Sequence, residues 1–277
     1  MKIGLIQLCV SDDPGANLPL TRDFVASAAG QGAALIATPE CTNLLSPDRN
    51  HMRQMLHPEA SDPTLAALRQ DAARLGLWLL IGSLALLAED SQRFVNRSFL
   101  IGPDGRIAAR YDKIHMFDVT ISDTESYRES ASYCAGDRAV LAQGPAPIGL
   151  SICYDLRFPV LYQALAQAGA QILTVPSAFN DTTGAAHWHV LLRARAIETG
   201  CFVLAPAQTG THPAPSSPDR PARRSYGHSL AVNPWGEIIA DAGEEVGATV
   251  LTLDLADVGA ARSRIPSLSH SRGFAGP

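Results

Sequence analysis

The chain is written twice. "IGLIQLC" (3–9) returns as "IGLSICY" (148–154), and "GAALIATPECTN" (32–43) returns as "GAQILTVPSAFN" (169–180). "GLWLLIGSL" (76–84) is echoed by "GCFVLAPAQ" (200–208), and "SFLIGPDGRIAARY" (98–111) by "SLAVNPWGEIIADA" (229–242). Matched segments in one order mean two similar half-units, neither of which can cover both faces of a sheet by itself. This requirement restricts the fold more than any composition does.

Each half reads as strand, helix, strand, helix, strand, hairpin. Continuous apolar runs such as "ALIATP" and "ILTVP" predict strands buried on both faces, and the stretches 64–75 and 186–199 predict the helices that cover them. "PDG" and "NPWG" supply hairpin turns. The expected architecture is α/β: two sheets packed face to face with helices outside, a four-layer α-β-β-α sandwich with an internal pseudo-two-fold repeat. No Gly/Ser linker divides the halves, so residues 1–277 are read as a single domain.

The halves differ at their strand ends. Glu40 follows the strand "LIATP", whereas its counterpart after "LTVP" is Ser177; Cys153 ends the strand "PIGLSI", whereas the first half offers Leu8. Ligand sites in α/β sheets lie at the carboxyl ends of strands. Alone, a cysteine in an apolar run is a small core side chain. Here Pro159 opens a helix over 159–168 that Gly169 stops, so Cys153 occupies a tight strand-to-helix turn similar in outline to a nucleophile elbow, with the Tyr154 N–H available to an oxyanion. Cys9, Cys41, Cys134 and Cys201 have no such turn and read as ordinary thiols.

The chain holds twenty arginines and two lysines, Lys2 and Lys113. Lys113 is either a chance survivor or a site where a compact ammonium does what a guanidinium cannot. His187 and His189 open the predicted helix two residues apart, on different faces, which argues against a metal pair. His228 reads as a packed histidine holding a loop, and no Cys-His-Asp arrangement emerges. No metal or cofactor is expected.

A net charge of −5 gives no electrostatic case for nucleic acid. No run approaches the roughly 20 apolar residues of a membrane span. The N-terminal "MKIGLIQLCV" is too short for a signal peptide and reads as a strand. With scattered cysteines in odd number, this places the protein in the cytoplasm.

"TPECTN" around Glu40, "RYDKIHMFD" around Lys113 and "GLSICYDLRFP" around Cys153 resemble the three signature blocks of the nitrilase superfamily, the carbon-nitrogen hydrolases. The resemblance spans nearly the whole chain, through "YRESASYCAGD" (127–137), "PSAFNDTTGAAHWHVLLRARAIE" (176–198) and "YGHSLAVNPWGEII" (226–239). It implies the same sandwich and a Glu40–Lys113–Cys153 triad acting through a cysteine thioester. Glu40 would be general base and acid, its pKa pushed toward neutrality by burial against the opposing pull of the ammonium. Lys113 and the Tyr154 N–H would hold the oxyanion, and Glu129 would orient Lys113 or the substrate; otherwise Glu129 is a surface carboxylate beside Arg128.

"CYDLRFP" is similar to the omega-amidase and deaminated-glutathione amidase branch, and "FDV" followed by "YRES" resembles the latter. The implied reaction releases ammonia or an amine from a small carboxylate-bearing amide, deaminated glutathione or a similar omega-amide of a keto acid. A nitrile or N-carbamoyl substrate is the alternative, and a non-catalytic binding module the alternative of another class. Arg128 is the expected carboxylate-binding residue, with Arg223 and Arg224 also near the rim; Arg157 is expected to pair with Asp155 or a carbonyl. Residues 211–227 read as a flexible proline-rich insertion. The family implies a homodimer or higher homo-oligomer, and "SRIPSLSHSRGF" is too apolar for a free tail.

Overall fold

The computed structural model describes residues 1–89, 93–123 and 125–276. Strands β1 (Lys2–Gln7), β2 (Leu35–Ala37), β3 (Trp78–Leu87), β4 (Phe94–Ile101) and β5 (Ile107–Asp112) form one sheet. The other holds β6 (Val140–Gln143), β7 (Pro147–Leu150), β8 (Ile172–Thr174), β9 (Phe202–Ala205), β10 (Leu230–Val232) and β11 (Ile238–Asp241). Strand β12 (Gly247–Thr252) returns to the first sheet and pairs antiparallel with β1, as β6 pairs with β7. The orders β12-β1-β2-β3-β4-β5 and β6-β7-β8-β9-β10-β11 are therefore the same order, each with three parallel strands at its centre. The written repeat is a repeat of topology.

Helices α1 (Pro14–Gly30) and α3 (Pro63–Leu75) cover the first sheet, their Val25, Ala28, Leu68 and Ala72 packing with Ile6, Ile36 and Ile81. Short α2 (Arg49–Met55) lies between them in sequence. Trp188 and Leu192 of α5 (Asp181–Thr199) and Leu161 of α4 (Pro159–Gln167) join the core of the second sheet, and α6 (Ala256–Arg264) follows β12. Side chains alternate across each strand, so Ile3 and Leu5 enter the same inner cluster as Ile148 and Leu150. The glycine between each pair faces the helices. A Cβ on Gly4 would stand 2.9 Å from the Cβ of Ala28, and one on Gly149 2.8 Å from Leu173 and 3.1 Å from Leu165. Both copies keep "IGL" because a helix layer presses on that position.

Local chemistry sets the helix ends. Asp13 and Asp62 cap α1 and α3 with proline at the first helical position, and Gly76 ends α3 in the left-handed conformation. Helix α5 starts at Asp181, earlier than the apolar pattern from 186 implies, because the Asn180 side chain accepts from the Thr183 N–H. His187 and His189 thus lie inside the helix rather than at its opening.

The 211–227 insertion is tied down, contrary to the expectation of a flexible loop. Thr209–Thr211 pairs antiparallel with Arg224–Tyr226, Ser216 bonds Asp12, and Arg220 donates to the Pro47 carbonyl at 2.8 Å. His212 is the central fastener. Its buried Nδ1–H donates to the Val10 carbonyl and its Nε2 accepts from Ser225 Oγ, each at 2.8 Å. Burial, with the Arg223 charge adding to it against the Val10 bond, lowers this imidazole to about 4. The folded protein holds it neutral while the unfolded chain protonates it near pH 6.5, so its contribution is complete above pH 6.5 and lost as pH falls toward 4. In urea unfolding, wild type is expected to lose about 3 kcal/mol more than His212→Gln between pH 6.5 and pH 4. Equal losses in the two proteins would remove His212 from this role.

Candidate active site

Glu40, Lys113, Glu129, Cys153, Tyr154 and Arg128 all line one cavity of about 360 Å³ at the strand ends. Glu40 leaves β2 and is buried. Its Oε1 accepts from Lys113 Nζ at 2.9 Å and Asn96 Nδ2 at 2.8 Å, and its Oε2 from the Ala178 N–H at 2.7 Å. Its own carbonyl accepts from Gln208. Two of these partners, Ala178 and Gln208, belong to the second half, so the carboxylate spans the seam between the halves.

Lys113 follows β5 with its ammonium between two carboxylates, 2.9 Å from Glu40 and 2.9 Å from Glu129. Glu129 is fixed in turn by the Phe117 N–H at 2.6 Å, so it orients Lys113 and is not a loose surface acid beside Arg128. Burial disfavours the ammonium, but the charges of Glu129 and Glu40 outweigh it and raise its pKa well above the ordinary value.

Cys153 opens the short 3₁₀ turn Cys153–Arg157 with φ +48°, a left-handed conformation that a cysteine adopts only when its surroundings hold it there. Its N–H is taken by the Pro176 carbonyl at 3.0 Å. Nothing among the described residues accepts from the next N–H, that of Tyr154, which leaves it for a ligand. Asp155, fully buried, holds the turn in place. It accepts from the Ile152 N–H, from Tyr111 Oη at 2.6 Å and from both the amide and Nδ1 of His115, coupling the cysteine turn to the Lys113 segment. Arg157 therefore does not pair with Asp155; it lies over the rings of Tyr154 and Phe179 and contacts His187.

Burial and the Glu40 charge raise the Cys153 thiol well above its ordinary pKa, against the pull of Lys113. Burial also opposes ionisation of Glu40, but Lys113, Arg223 and the Ala178 amide win, so its pKa is lowered. This corrects the expectation of a carboxyl raised toward neutrality. The resting centre is a neutral thiol facing a carboxylate base.

Arg128 is the arginine that the sequence places first as a carboxylate partner. Arg128 is on the cavity wall but exposed, and its guanidinium donates to the Tyr127 carbonyl. Arg223, on the same wall, donates to the Ala178 carbonyl at 2.7 Å, lies over the Tyr127 ring, and has a buried Nε without a hydrogen-bond partner. Arg224 pairs with Asp181 and Glu244, whereas Arg223 has no carboxylate partner among the described residues. The proline-rich insertion was the available signal for Arg223; only its folding shows which of the two arginines turns inward.

A buried thiol, a carboxylate and an ammonium meeting beside an open N–H, at the seam of a doubled α-β-β-α sandwich, suit acyl transfer and fit the class of hydrolases that cleave carbon-nitrogen bonds. The chain belongs to the carbon-nitrogen hydrolase family, whose model matches residues 2–263. It is 38% identical over 273 residues to the deaminated glutathione amidase of Yersinia enterocolitica, covering 98% of this chain and 92% of that protein. It is 34% identical to the human omega-amidase, covering 98% of this chain and 95% of that one. The C. elegans NitFhit protein superposes with a TM-score of 0.89 at 35% identity, over 98% of this chain and 65% of that longer one.

Lys113→Arg keeps the charge but moves it and adds a fork where two carboxylates already fit a compact ammonium. A fall in kcat of at least about a hundredfold is expected, comparable to losing an oxyanion donor. Cys153→Ala is expected to abolish turnover with the circular dichroism unchanged, and Cys41→Ala to retain it. Near-normal kcat in either Lys113→Arg or Cys153→Ala would remove the assigned roles.

Proposed function

We propose that the protein is an amidase that hydrolyses a small carboxylate-bearing amide through a thioester on Cys153. The observation carrying this reading is the meeting of Glu40, Lys113 and Cys153 in one cavity, with the Lys113 ammonium 2.9 Å from the Glu40 carboxylate. Glu40 takes the thiol proton as sulfur attacks the carbonyl carbon, and the oxyanion forms between Lys113 Nζ and the Tyr154 N–H. Glu40 returns the proton to the departing nitrogen, releasing ammonia or an amine and leaving the thioester. Water then attacks, giving its proton to Glu40, and the acid leaves with the thiol restored. One carboxylate serves in both directions because the reaction returns it to its starting state.

The names of the relatives, deaminated glutathione amidase and omega-amidase, favour an amide of a keto acid over the nitrile or N-carbamoyl alternative. Retention of Glu40, Lys113 and Cys153 in one cavity argues against a binding module. An anionic substrate is supported by Arg223, a cation on the cavity wall with a buried donor unspent, and by Arg128 at the mouth. The exposure of Arg128 makes it the weaker of the two, since solvent screens its charge.

Residues 1–277 act as one unit in this reading, because β12 from the C-terminal part completes the first sheet. No helix among the described residues is long and apolar enough to cross a membrane. Cys9, Cys41, Cys153 and Cys201 stand as thiols, which suits a reducing compartment such as the cytoplasm. Val160, Val190 and Ile197 on α4 and α5 are exposed, and Phe274 in the tail is 90% exposed, apolar side chains that a second copy of the chain would cover.

Ammonia release across omega-amides, nitriles and carbamoyl amino acids tests the reaction, with omega-amides of keto acids expected to lead. Arg223→Met is expected to raise KM for such an amide at least about tenfold more than for a neutral amide of equal length, the worth of a bond to a charged group. Arg128→Ala is expected to show the same preference more weakly. Equal losses on both substrates would refute the anionic reading. Sedimentation is expected to show an oligomer; a sole species of 29.4 kDa at micromolar concentration would refute it.

A further inference from the structure

Away from the cavity, two histidines and a carboxylate from separate elements meet at one point. His189 projects from α5, His228 precedes β10, and Asp241 ends β11. Asp241 Oδ2 lies 3.1 Å from His189 Nε2 and 3.2 Å from His228 Nδ1, and all three donor atoms fall within 4.8 Å of one another. The other oxygen, Oδ1, accepts from the Gly243 N–H at 2.9 Å and faces His228 Nδ1 at 2.9 Å. One carboxylate oxygen is thus anchored to backbone, and the other stands nearly equidistant from two imidazole nitrogens.

Two sides of that triangle have the dimensions of a metal's coordination shell. Zinc held at about 2.0–2.1 Å in a tetrahedron spaces its ligand atoms roughly 3.3 Å apart, close to the separations from Oδ2. The N–H groups now pointing at the carboxylate are the protons a cation would displace. All three side chains are between one-fifth and one-third exposed, which gives an entry path and room for water as fourth ligand.

The backbone supplies an independent indication. Only Cys41, Cys153 and His228 among the described non-glycine residues have positive φ. Cys41 adjoins Glu40 and Cys153 is the proposed nucleophile; the third sits here, at φ +55°, held by its N–H on the Gly243 carbonyl and its carbonyl on Trp188 Nε1. Strain of this kind collects at functional positions. Tyr226 stacks on His228 and meets His189 edge-on, so the ring cluster is rigid before any ion arrives. His187, on the other face of α5, turns to Arg157 instead, as the helical spacing requires.

We propose that His189, His228 and Asp241 form a binding site for a divalent first-row transition ion of the zinc class. The ion clamps α5 to the β10–β11 hairpin next to the strand Arg224–Tyr226 that carries the arginine loop. Imidazole and carboxylate donors suit Zn²⁺ or Co²⁺, and three protein ligands leave one position open. The site is separate from Cys153, and its role is conformational.

The test uses untagged, chelator-treated Cys153→Ala protein, which removes the catalytic thiol as a competing soft ligand. Calorimetric titration with Zn²⁺ is expected to show saturable one-to-one binding, and Co²⁺ to give the intense visible bands of a tetrahedral site. Tm is expected to rise by roughly 5 °C at a zinc concentration about a hundredfold above Kd. His189→Ala, a partly exposed position, and Asp241→Asn, which keeps the size and the Gly243 bond, are each expected to weaken binding at least about tenfold. No saturable binding at micromolar zinc would overturn the proposal, as would unchanged affinity in His189→Ala.

Discussion

The buried ammonium of Lys113 between Glu40 and Glu129 is the interaction on which the site rests. Removing a charged group from water is costly, and a buried pair is tolerated only when every remaining oxygen and proton finds a partner. Here the carboxylate oxygens do: Asn96 and Ala178 complete Glu40, and Phe117 completes Glu129, while the ammonium bonded to both carboxylates keeps a proton for a ligand. The partners come from β4, from the segment after β8 and from the loop after β5, so satisfying one ion pair fixes the relative position of both sheets at their carboxyl ends. Loss of one partner would leave an uncompensated buried charge, a defect of about 3–5 kcal/mol.

The same electrostatics divides the chemical work. A thiol surrounded by apolar groups and facing a carboxylate resists ionisation, while that carboxylate is held ionised by its cations. In the proposed mechanism a preformed thiolate is therefore not the nucleophile, and proton transfer to Glu40 would accompany attack as charge passes to an oxyanion beside Lys113. Duplication made this economical: a common scaffold supplies both strand ends, and each half adds one reactive group where the other keeps Ser177 or Leu8.

Beyond the catalytic centre, the insertion shows how a loop of prolines and small polar residues becomes a pocket wall. His212 is neutral, buried and bonded at both nitrogens, and it joins the loop to the strand end of the first half. Arg223 is thereby turned toward the cavity while Arg224 remains outside among Asp181 and Glu244. Adjacent residues of identical type thus acquire opposite surroundings.

The two half-units, the helix layers, and Glu40, Lys113 and Cys153 as candidate site residues were legible in the sequence because each leaves a local mark: a repeated apolar run, a proline or glycine at a helix end, a reactive residue where a strand must stop, a lysine kept in an arginine-rich chain. Glu129 was legible only through resemblance, since a glutamate beside an arginine carries no sign of burial. What the tertiary structure alone decided is the environment of each charge. Whether Glu40 is raised by burial or lowered by cations, whether Asp155 holds Arg157 or Tyr111 and His115, and which arginine faces the cavity all depend on groups distant in the chain. So does the meeting of His189, His228 and Asp241. Electrostatic and coordination geometry fall off over a few ångströms in space, and sequence spacing fixes such distances only within one helix or one strand pair.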